Sequence, residues 1–299
     1  MLLDWAGLFP FNDTFRAHIN KRDAECGHTK FVEENLVYPP KGLQVPPNKG
    51  GVGPAYSCFD LFADVYEAAS LINPCFNVYH VSTTCPVLWD VLGFPGSSPY
   101  TPEGASIYFN RTDMKKAIHA PLDVNWELCT RGNVFVGGVD SSPPSSYGVL
   151  PHVIDATQNV IIAHGALDMV LIANGTLLAI QNMTWGGKLG FQRPPTEPFY
   201  VPYSSISDNS IATMAAAGVF GTTHTERGLT YVGVAMAGHM IPQYAPSAAY
   251  RQLEFLLGRV NCLNCTVPFS TEMGATPQDV GPLGSGTAPQ GWSSGIVSS

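Results

Sequence analysis

The chain has 299 residues, of which 45% are hydrophobic, so it holds enough apolar material for one large domain or two small ones. Its formal net charge is −8, only 13% of its residues are charged, and its basic residues are scattered. This argues against nucleic acid as a partner, because phosphate binding needs clustered Lys and Arg. No membrane partner is expected, since Gly, Pro and polar residues interrupt every apolar run before the roughly 20 residues that span a bilayer.

Residues 1–105 are rich in Pro, Gly, Asn and Cys, and helical periodicity is confined to short pieces such as residues 61–72. This composition predicts an irregular insertion tied by disulfides. Residues 106–260 carry the regular elements of a predicted α/β core. Residues 261–299 read as a tail rich in Gly, Ser, Pro and Thr, and disorder is predicted from residue 267 onward.

The core region alternates strand and helix signals. The predicted strands lie at residues 133–139, 160–163 and 229–237. One predicted helix begins near Asp113 and stops before Pro121, a second covers residues 176–183, and a third covers residues 246–257 with Gly258 directly after it. The apolar face of the third helix is predicted to consist of Ala249, Leu253, Leu256 and Leu257.

Seven cysteines in an acidic chain indicate disulfides formed in an oxidising compartment. Their spacing favours three pairs: Cys75 with Cys85, Cys262 with Cys265, and Cys26 with Cys58. Cys129 is then left over, either as half of a bridge to a missing partner or as a free buried thiol. A metal site at the Cys-x-x-Cys of residues 262–265 is not expected, since no second cysteine pair or histidine cluster stands at zinc spacing.

Five Asn-x-Ser/Thr sequons occur, where chance gives roughly two, and N-glycans are expected at Asn12, Asn110, Asn174, Asn182 and Asn264. Together with the cysteines they indicate a secretory-pathway protein, secreted or vacuolar. No signal peptide is recognisable, because the first residues lack a basic segment and Asp4 and Pro10 interrupt the apolar stretch. We therefore expect the natural start to lie upstream of Met1.

Two segments of the core region each end an apolar run at small residues and then present one titratable side chain. Residues 160–168 end at Asp168, and residues 231–242 contain His239. A buried parallel strand delivers polar groups in this way to the carboxyl edge of a sheet, so we expect Asp168 and His239 at one site. Acid before histidine is the order of the last two members of an α/β-hydrolase triad.

The alternative interpretation is that Asp168 and His239 have only structural roles. An aspartate after a β-run is commonly a turn former, and a histidine on such a segment is commonly a buried, hydrogen-bonded core residue. The structural or surface interpretation is the one we give to the remaining histidines of this region, His119, His152, His164 and His224. Of these, His164 stands nearest to Asp168 in the sequence.

The amino-acid sequence around Asp168 and His239 resembles that of the serine carboxypeptidases, and within them that of a group of fungal enzymes. The resemblance extends over residues 5–260 and is carried by Asn73-Pro-Cys-Phe-Asn77, Tyr108–His119, Trp126-Glu-Leu-Cys129, the Asp168 segment, Gly175–Trp185 and Gly238-His-Met-Ile-Pro242. It implies the carboxyl-terminal part of an α/β-hydrolase fold with an irregular, disulfide-rich cap. It also implies that Asp168 is the triad acid, that His239 is the base and that Met240 borders the substrate pocket. No cofactor and no metal are implied.

Two motifs of that family do not occur in this sequence: the Trp-Asn-Gly-Gly-Pro-Gly loop of the oxyanion hole and the Gly-Glu-Ser-Tyr nucleophile elbow. The Gly-x-Ser-x-Gly match at residues 291–295 has no strand before it and no helix after it, so it is not interpreted as a nucleophile. Close to the triad residues, the usual Gly-Asp-x-Asp is Gly165-Ala-Leu-Asp168. In the family, the cysteine that corresponds to Cys129 is bridged to one near the amino terminus. The two absent motifs and the unmatched Cys129 predict a chain without the nucleophile half, whereas the change at Gly165-Ala-Leu-Asp168 bears only on the details of the pocket.

Three functions follow as hypotheses. The first is a serine-type carboxypeptidase that acts on the C-termini of peptides and proteins, with this chain carrying Asp168 and His239 but no nucleophilic serine. The second is a related acyltransferase, since the same triad transfers acyl groups when an alcohol replaces water. The third is a secreted glycoprotein without catalytic activity.

Overall fold

The computed structural model describes residues 9–45, 58, 60–86, 107–127, 132–202 and 217–271. In chain order the α-helices are α1 Asp13–Cys26, α2 His28–Asn35, α3 Asp60–Ile72, α4 Thr112–Ala117, α5 Val149–Thr157, α6 Ala173–Gln181, α7 Ile241–Tyr244 and α8 Pro246–Leu256. Short 3-10 turns occupy Tyr108–Asn110, Val136–Gly138 and Ser145–Tyr147. The strands are β1 Val160–Gly165, β2 Thr184–Trp185, β3 Lys188–Leu189, β4 Glu197–Val201, β5 Gly218–Glu226 and β6 Leu229–Val234.

The described residues fall into two compact units. The first unit draws on Met1–Cys26 and Lys49–Pro143, and the second draws on Gly27–Asn48 and Pro144–Ser299. The domain boundaries predicted from the sequence, at residues 105 and 260, stay predictions. Within the described part of the chain, no helix combines the length and the apolar character that crossing a bilayer requires.

The first unit is more helical than its composition predicted. Helix α3 confirms the predicted helix of residues 61–72, but α1 was not predicted because only Ile19 and Cys26 along it are buried. Local contacts compensate: Asn12 Oδ1 accepts a hydrogen bond from the Phe15 backbone N–H at 2.8 Å, and a disulfide joins Cys26 at the end of α1 to Cys58.

The strand predicted at residues 133–139 is wrong. This segment forms a 3-10 turn at Val136–Gly138 instead. Gly137 and Gly138 adopt φ angles of +76° and +74°, which turn the chain and are incompatible with a strand. Val134, Val136 and Val139 are exposed, and the described residues of this unit form no sheet against which these apolar residues could pack.

The second unit contains a four-stranded mixed sheet in the order β1-β6-β5-β4. Strand β1 pairs in parallel with β6, while β6 with β5 and β5 with β4 pair in the antiparallel direction. Strands β1 and β6 confirm the predictions at residues 160–163 and 229–237. Strands β4 and β5 were not predicted, because Pro198 lies in β4 and the glycines of β5 weaken a strand signal.

Helices cover both faces of the sheet, so the predicted α/β class is confirmed. Alternate residues of β1 point to opposite faces. Ile161 and Ala163 pack into a core with α8, and Val160 and Ile162 pack into a second core with α5 and α6. The first core is built from Phe199, Val201, Val232, Val234, Ala237, Ile241, Ala245, Ala248, Leu263 and Phe269. The second is built from Ile154, Ile180, Met183, Trp185, Phe191, Leu229 and Tyr231.

Helix α8 confirms the predicted helix and its ending at Gly258, whose φ is +67°. Its predicted apolar face is wrong at Leu253, Leu256 and Leu257, which are exposed, whereas Ala249 packs against the first core. The buried residues of the helix are instead Ala248, Arg251, Gln252 and Glu254.

A charged pair explains why this face of α8 is buried while its leucines are exposed. Arg251 Nη1 donates to Glu254 Oε2 at 3.1 Å with both side chains fully buried, and the Arg251 guanidinium also reaches the carbonyl oxygens of residues 265, 267 and 268. Phe269 is buried beside them, so residues 267–271 are ordered against α8, where composition had predicted disorder.

The three predicted disulfides are all present: Cys26–Cys58, Cys75–Cys85 and Cys262–Cys265. Cys129 and the Gly-x-Ser-x-Gly match at residues 291–295 lie outside the described residues, as does the predicted tail beyond residue 271.

Candidate active site

Two parallel strands bring Asp168 and His239 to the same edge of the sheet. Strand β1 ends at Gly165, which is in register with Val234 at the end of β6. Asp168 follows β1 and His239 follows β6, each in the loop directly beyond the strand. Both segments therefore lie at the carboxyl edge of the sheet, as the sequence predicted.

A hydrogen bond of 2.8 Å joins His239 Nδ1 to Asp168 Oδ2. The Asp168 side chain is buried, with 4% of it exposed, whereas the His239 side chain is 31% exposed. Because an ionised carboxylate can only accept hydrogen bonds, Nδ1 carries the hydrogen of this contact. In the neutral imidazole the proton-accepting nitrogen is then Nε2.

The second carboxylate oxygen of Asp168 is held by the backbone. Oδ1 accepts hydrogen bonds from the N–H groups of Val170 at 2.8 Å and Leu171 at 3.2 Å. Three donors therefore converge on one buried carboxylate. This fixes both the position of the carboxylate and the direction in which Oδ2 points toward His239.

Small residues allow the two loops to approach closely. The backbone N–H of Leu167 donates to the Ala237 carbonyl at 2.9 Å, and that of Ala166 donates to the Val234 carbonyl at 2.9 Å. A Cβ atom on Gly165 would lie 2.2 Å from the Gly238 carbonyl oxygen. Only glycine fits at position 165, because any larger residue would push the loops apart.

Met240 directly follows His239 and precedes α7. Its carbonyl oxygen accepts hydrogen bonds from the backbone N–H groups of Gln243 at 2.9 Å and Tyr244 at 3.1 Å, which closes the first turn of that helix. Its side chain is half-buried. Met240 is thus held in the loop of His239.

Sequence reasoning missed the contacts of His164. This buried histidine of β1 binds the Leu171 carbonyl oxygen with Nε2 and the Thr176 hydroxyl with Nδ1. The signal that could have indicated them is strand alternation, which places residue 164 on the same face as Val160 and Ile162, under α6. Among the residues that the structure describes, no three His, Cys, Asp or Glu side chains are grouped so that they could hold a metal ion.

Comparison with known proteins identifies the family of this chain. The model of the serine carboxypeptidase family, Peptidase_S10, matches residues 49–258, which is most of the chain. The chain belongs to the serine carboxypeptidase family. A probable serine carboxypeptidase of Arthroderma benhamiae is 53% identical over 87% of this chain and 48% of its own length. Serine-type carboxypeptidase F of Aspergillus niger is 42% identical over 86% of this chain and 50% of its own.

The chain spans about half the length of the curated relatives it matches. Among solved structures, the crystal structure of a prohormone-processing carboxypeptidase from Saccharomyces cerevisiae is 21% identical, with a TM-score of 0.47 over 67% of this chain and 41% of that chain. Family membership and the mixed sheet together confirm the predicted fold class, a part of the α/β-hydrolase fold with a disulfide-containing region.

Proposed function

We propose that Asp168 and His239 are the acid and the base of a Ser/Asp/His triad, and that the protein to which this chain belongs is a serine-type carboxypeptidase. The observation that carries the proposal is the hydrogen bond between Asp168 Oδ2 and His239 Nδ1, formed at the carboxyl edge of a sheet in a member of this family. The substrates are the C-termini of peptides and proteins.

In this function His239 moves the protons. Its Nε2 accepts the hydroxyl proton of a serine as the serine oxygen attacks the scissile carbonyl, and then donates that proton to the departing amine, which leaves an acyl-enzyme. In the second half of the reaction, water attacks the acyl group. Nε2 takes a proton from this water and returns it to the serine oxygen as the acyl-enzyme is hydrolysed. Asp168 keeps Nδ1 protonated and stabilises the imidazolium that forms in both halves.

Met240 is proposed to border the substrate pocket, because it is held in the same loop as the proposed base. The Gly-Glu-Ser-Tyr segment that carries the nucleophilic serine in this family does not occur in the 299 residues. The alternative is a glycoprotein of this family that binds peptide C-termini without cleaving them.

Passage through the secretory pathway is proposed on the three disulfides and the five sequons. Asn12, Asn174 and Asn264 are exposed, so glycans can extend from them into solvent. The amides of the half-buried Asn110 and Asn182 are bonded to the backbone of Trp126 and of Gln44, and the amide nitrogen of the exposed Asn264 donates to Glu197. Glycopeptide mass spectrometry of the secreted protein should find full occupancy at the three exposed sites.

A chimera tests the catalytic proposal. This chain replaces the matching half of the Arthroderma benhamiae relative, and release of C-terminal amino acids from peptides is measured. We expect activity that a serine-directed inhibitor abolishes. His239→Ala should lower kcat by about a millionfold and Asp168→Asn by about ten-thousandfold. A chimera that is active and equally active with both substitutions would refute the triad assignment, and an inactive but folded chimera would favour the binding protein.

A further inference from the structure

We propose that His164 is a positioning residue that sets the orientation of the Asp168 carboxylate through the backbone of Leu171. The proposal rests on the function proposed for Asp168 and His239. His164 lies on β1, is only 6% exposed, and has no place in the proton transfers described above.

The protonation of His164 follows from its partners. Nε2 lies 2.5 Å from the Leu171 carbonyl oxygen, which can only accept, so Nε2 carries a hydrogen and donates it. Nδ1 lies 2.9 Å from the Thr176 hydroxyl, which can donate to it. Both ring nitrogens are thereby engaged, and the ring is fixed between the end of β1 and the first turns of α6.

Leu171 connects this ring to the proposed active site. Its carbonyl oxygen accepts the His164 hydrogen bond, while its N–H donates to Asp168 Oδ1. The chain of contacts therefore runs from Thr176 to His164, Leu171, Asp168 and finally His239. If the ring were absent, the peptide groups on either side of Leu171 could rotate, and Asp168 would lose one of its three fixed donors.

Nuclear magnetic resonance of the 299-residue chain gives readouts that do not depend on activity. The first is the hydrogen-bonded Nδ1–H resonance of His239, assigned by its absence in His239→Gln. The second is amide hydrogen exchange at Val170 and Leu171. His164→Leu should remove or broaden the resonance and speed both exchange rates by about tenfold. His164→Gln should retain both readouts, because its amide can donate to Leu171 and accept from Thr176.

Thr176→Val provides a second route if His164→Leu does not fold. It leaves His164 Nδ1 without its donor and should shift both readouts in the same direction, whereas Thr176→Ser should not. Because Thr176→Val also destroys the Asn174 sequon, Asn174→Gln is the control for a lost glycan. Thr223→Val is the control for stability, since it removes a buried hydroxyl bonded to the Tyr231 carbonyl in the middle of the sheet.

Wild-type readouts in His164→Leu or Thr176→Val would overturn the positioning role. So would equal changes in Thr223→Val at the same loss of stability. In the active chimera, His164→Leu should lower kcat by about tenfold or more and leave KM unchanged. If the readouts respond as expected while the chimera is inactive, the positioning role stands and the catalytic proposal fails.

Discussion

Asp168 and His239, 71 residues apart in the chain, are joined by a hydrogen bond of 2.8 Å between Oδ2 and Nδ1. The pair is formed by two parallel strands and the two loops that follow them, all within one compact unit. Its geometry depends on backbone contacts between those loops and on the fit of Gly165 against the Gly238 carbonyl.

The chain on its own should release no C-terminal residues from peptides. A triad without its nucleophile loses about a millionfold in turnover, and no Gly-Glu-Ser-Tyr segment is present in the 299 residues. The measurement is a peptide cleavage assay on the purified chain with and without a serine-directed inhibitor. Cleavage that the inhibitor abolishes would contradict the expectation.

Gly165→Ala should disrupt the contact between the two loops. The new methyl group would lie 2.2 Å from the Gly238 carbonyl oxygen, so we expect the free energy of unfolding to fall by about 2 kcal/mol or more. Gly175→Ala is the matched control, because its methyl group meets no atom within 4 Å and favours helix α6 by roughly 0.5–1 kcal/mol. Urea denaturation of both variants checks this, and equal stabilities would contradict the tight fit.

Arg251→Met should leave Glu254 as an unpaired buried carboxylate. Because both side chains are fully buried, we expect a loss of about 3–5 kcal/mol in the free energy of unfolding, and a partial recovery when Glu254→Met is added. Lys30→Met breaks an exposed ion pair with Glu34 in the same unit and should cost less than about 0.5 kcal/mol. A small effect of Arg251→Met on its own would show that the pair does not hold residues 265–270 on α8.

His224 should make the protein less stable as the pH falls. Burial lowers its pKa below the ordinary value of 6.5, an effect that outweighs the opposing hydrogen bond and charge of Glu197 and is reinforced by Arg193 and Arg227. The unfolded chain therefore binds the proton first, and the stability present above pH 6.5 is lost as the pH falls toward the folded pKa.

Thermal unfolding between about pH 7.5 and about pH 5.5 measures this effect. His224→Gln should reduce the slope of melting temperature against pH. His152→Gln, which alters an exposed histidine of α5, should leave the slope unchanged. A steeper slope in His224→Gln would contradict the direction of the pKa shift.

Cys129 should be a free thiol in the isolated chain. Six of the seven cysteines pair with one another, so no partner within the chain remains for it. Alkylation without reduction, followed by mass spectrometry, should label one cysteine per molecule, and the label should map to Cys129. Finding Cys129 bridged to another cysteine of the same chain would contradict the pairing scheme.

Local chemistry made several elements predictable. Helix α8 begins at Pro246 and ends at Leu256, shortly before Gly258, and the β-branched residues of β1 favour a strand. The strand at residues 133–139 was mispredicted because the same kind of apolar run can lie exposed once two glycines turn the chain. Strand β5 escaped prediction because its glycines weaken the strand signal, and pairing with β4 and β6 holds the segment in a strand.

The sequence by itself determined the family, the three disulfide pairs and the two side chains of the candidate site, because each depends on residue identity and spacing. The tertiary structure decided which groups surround those side chains. The burial of Arg251 with Glu254, and the contact of His164 with the Leu171 carbonyl, both join groups whose partners are set by how helices pack on the sheet. A charged or polar residue is stable in a core only when the fold supplies its partners, and the linear order of residues does not specify those partners.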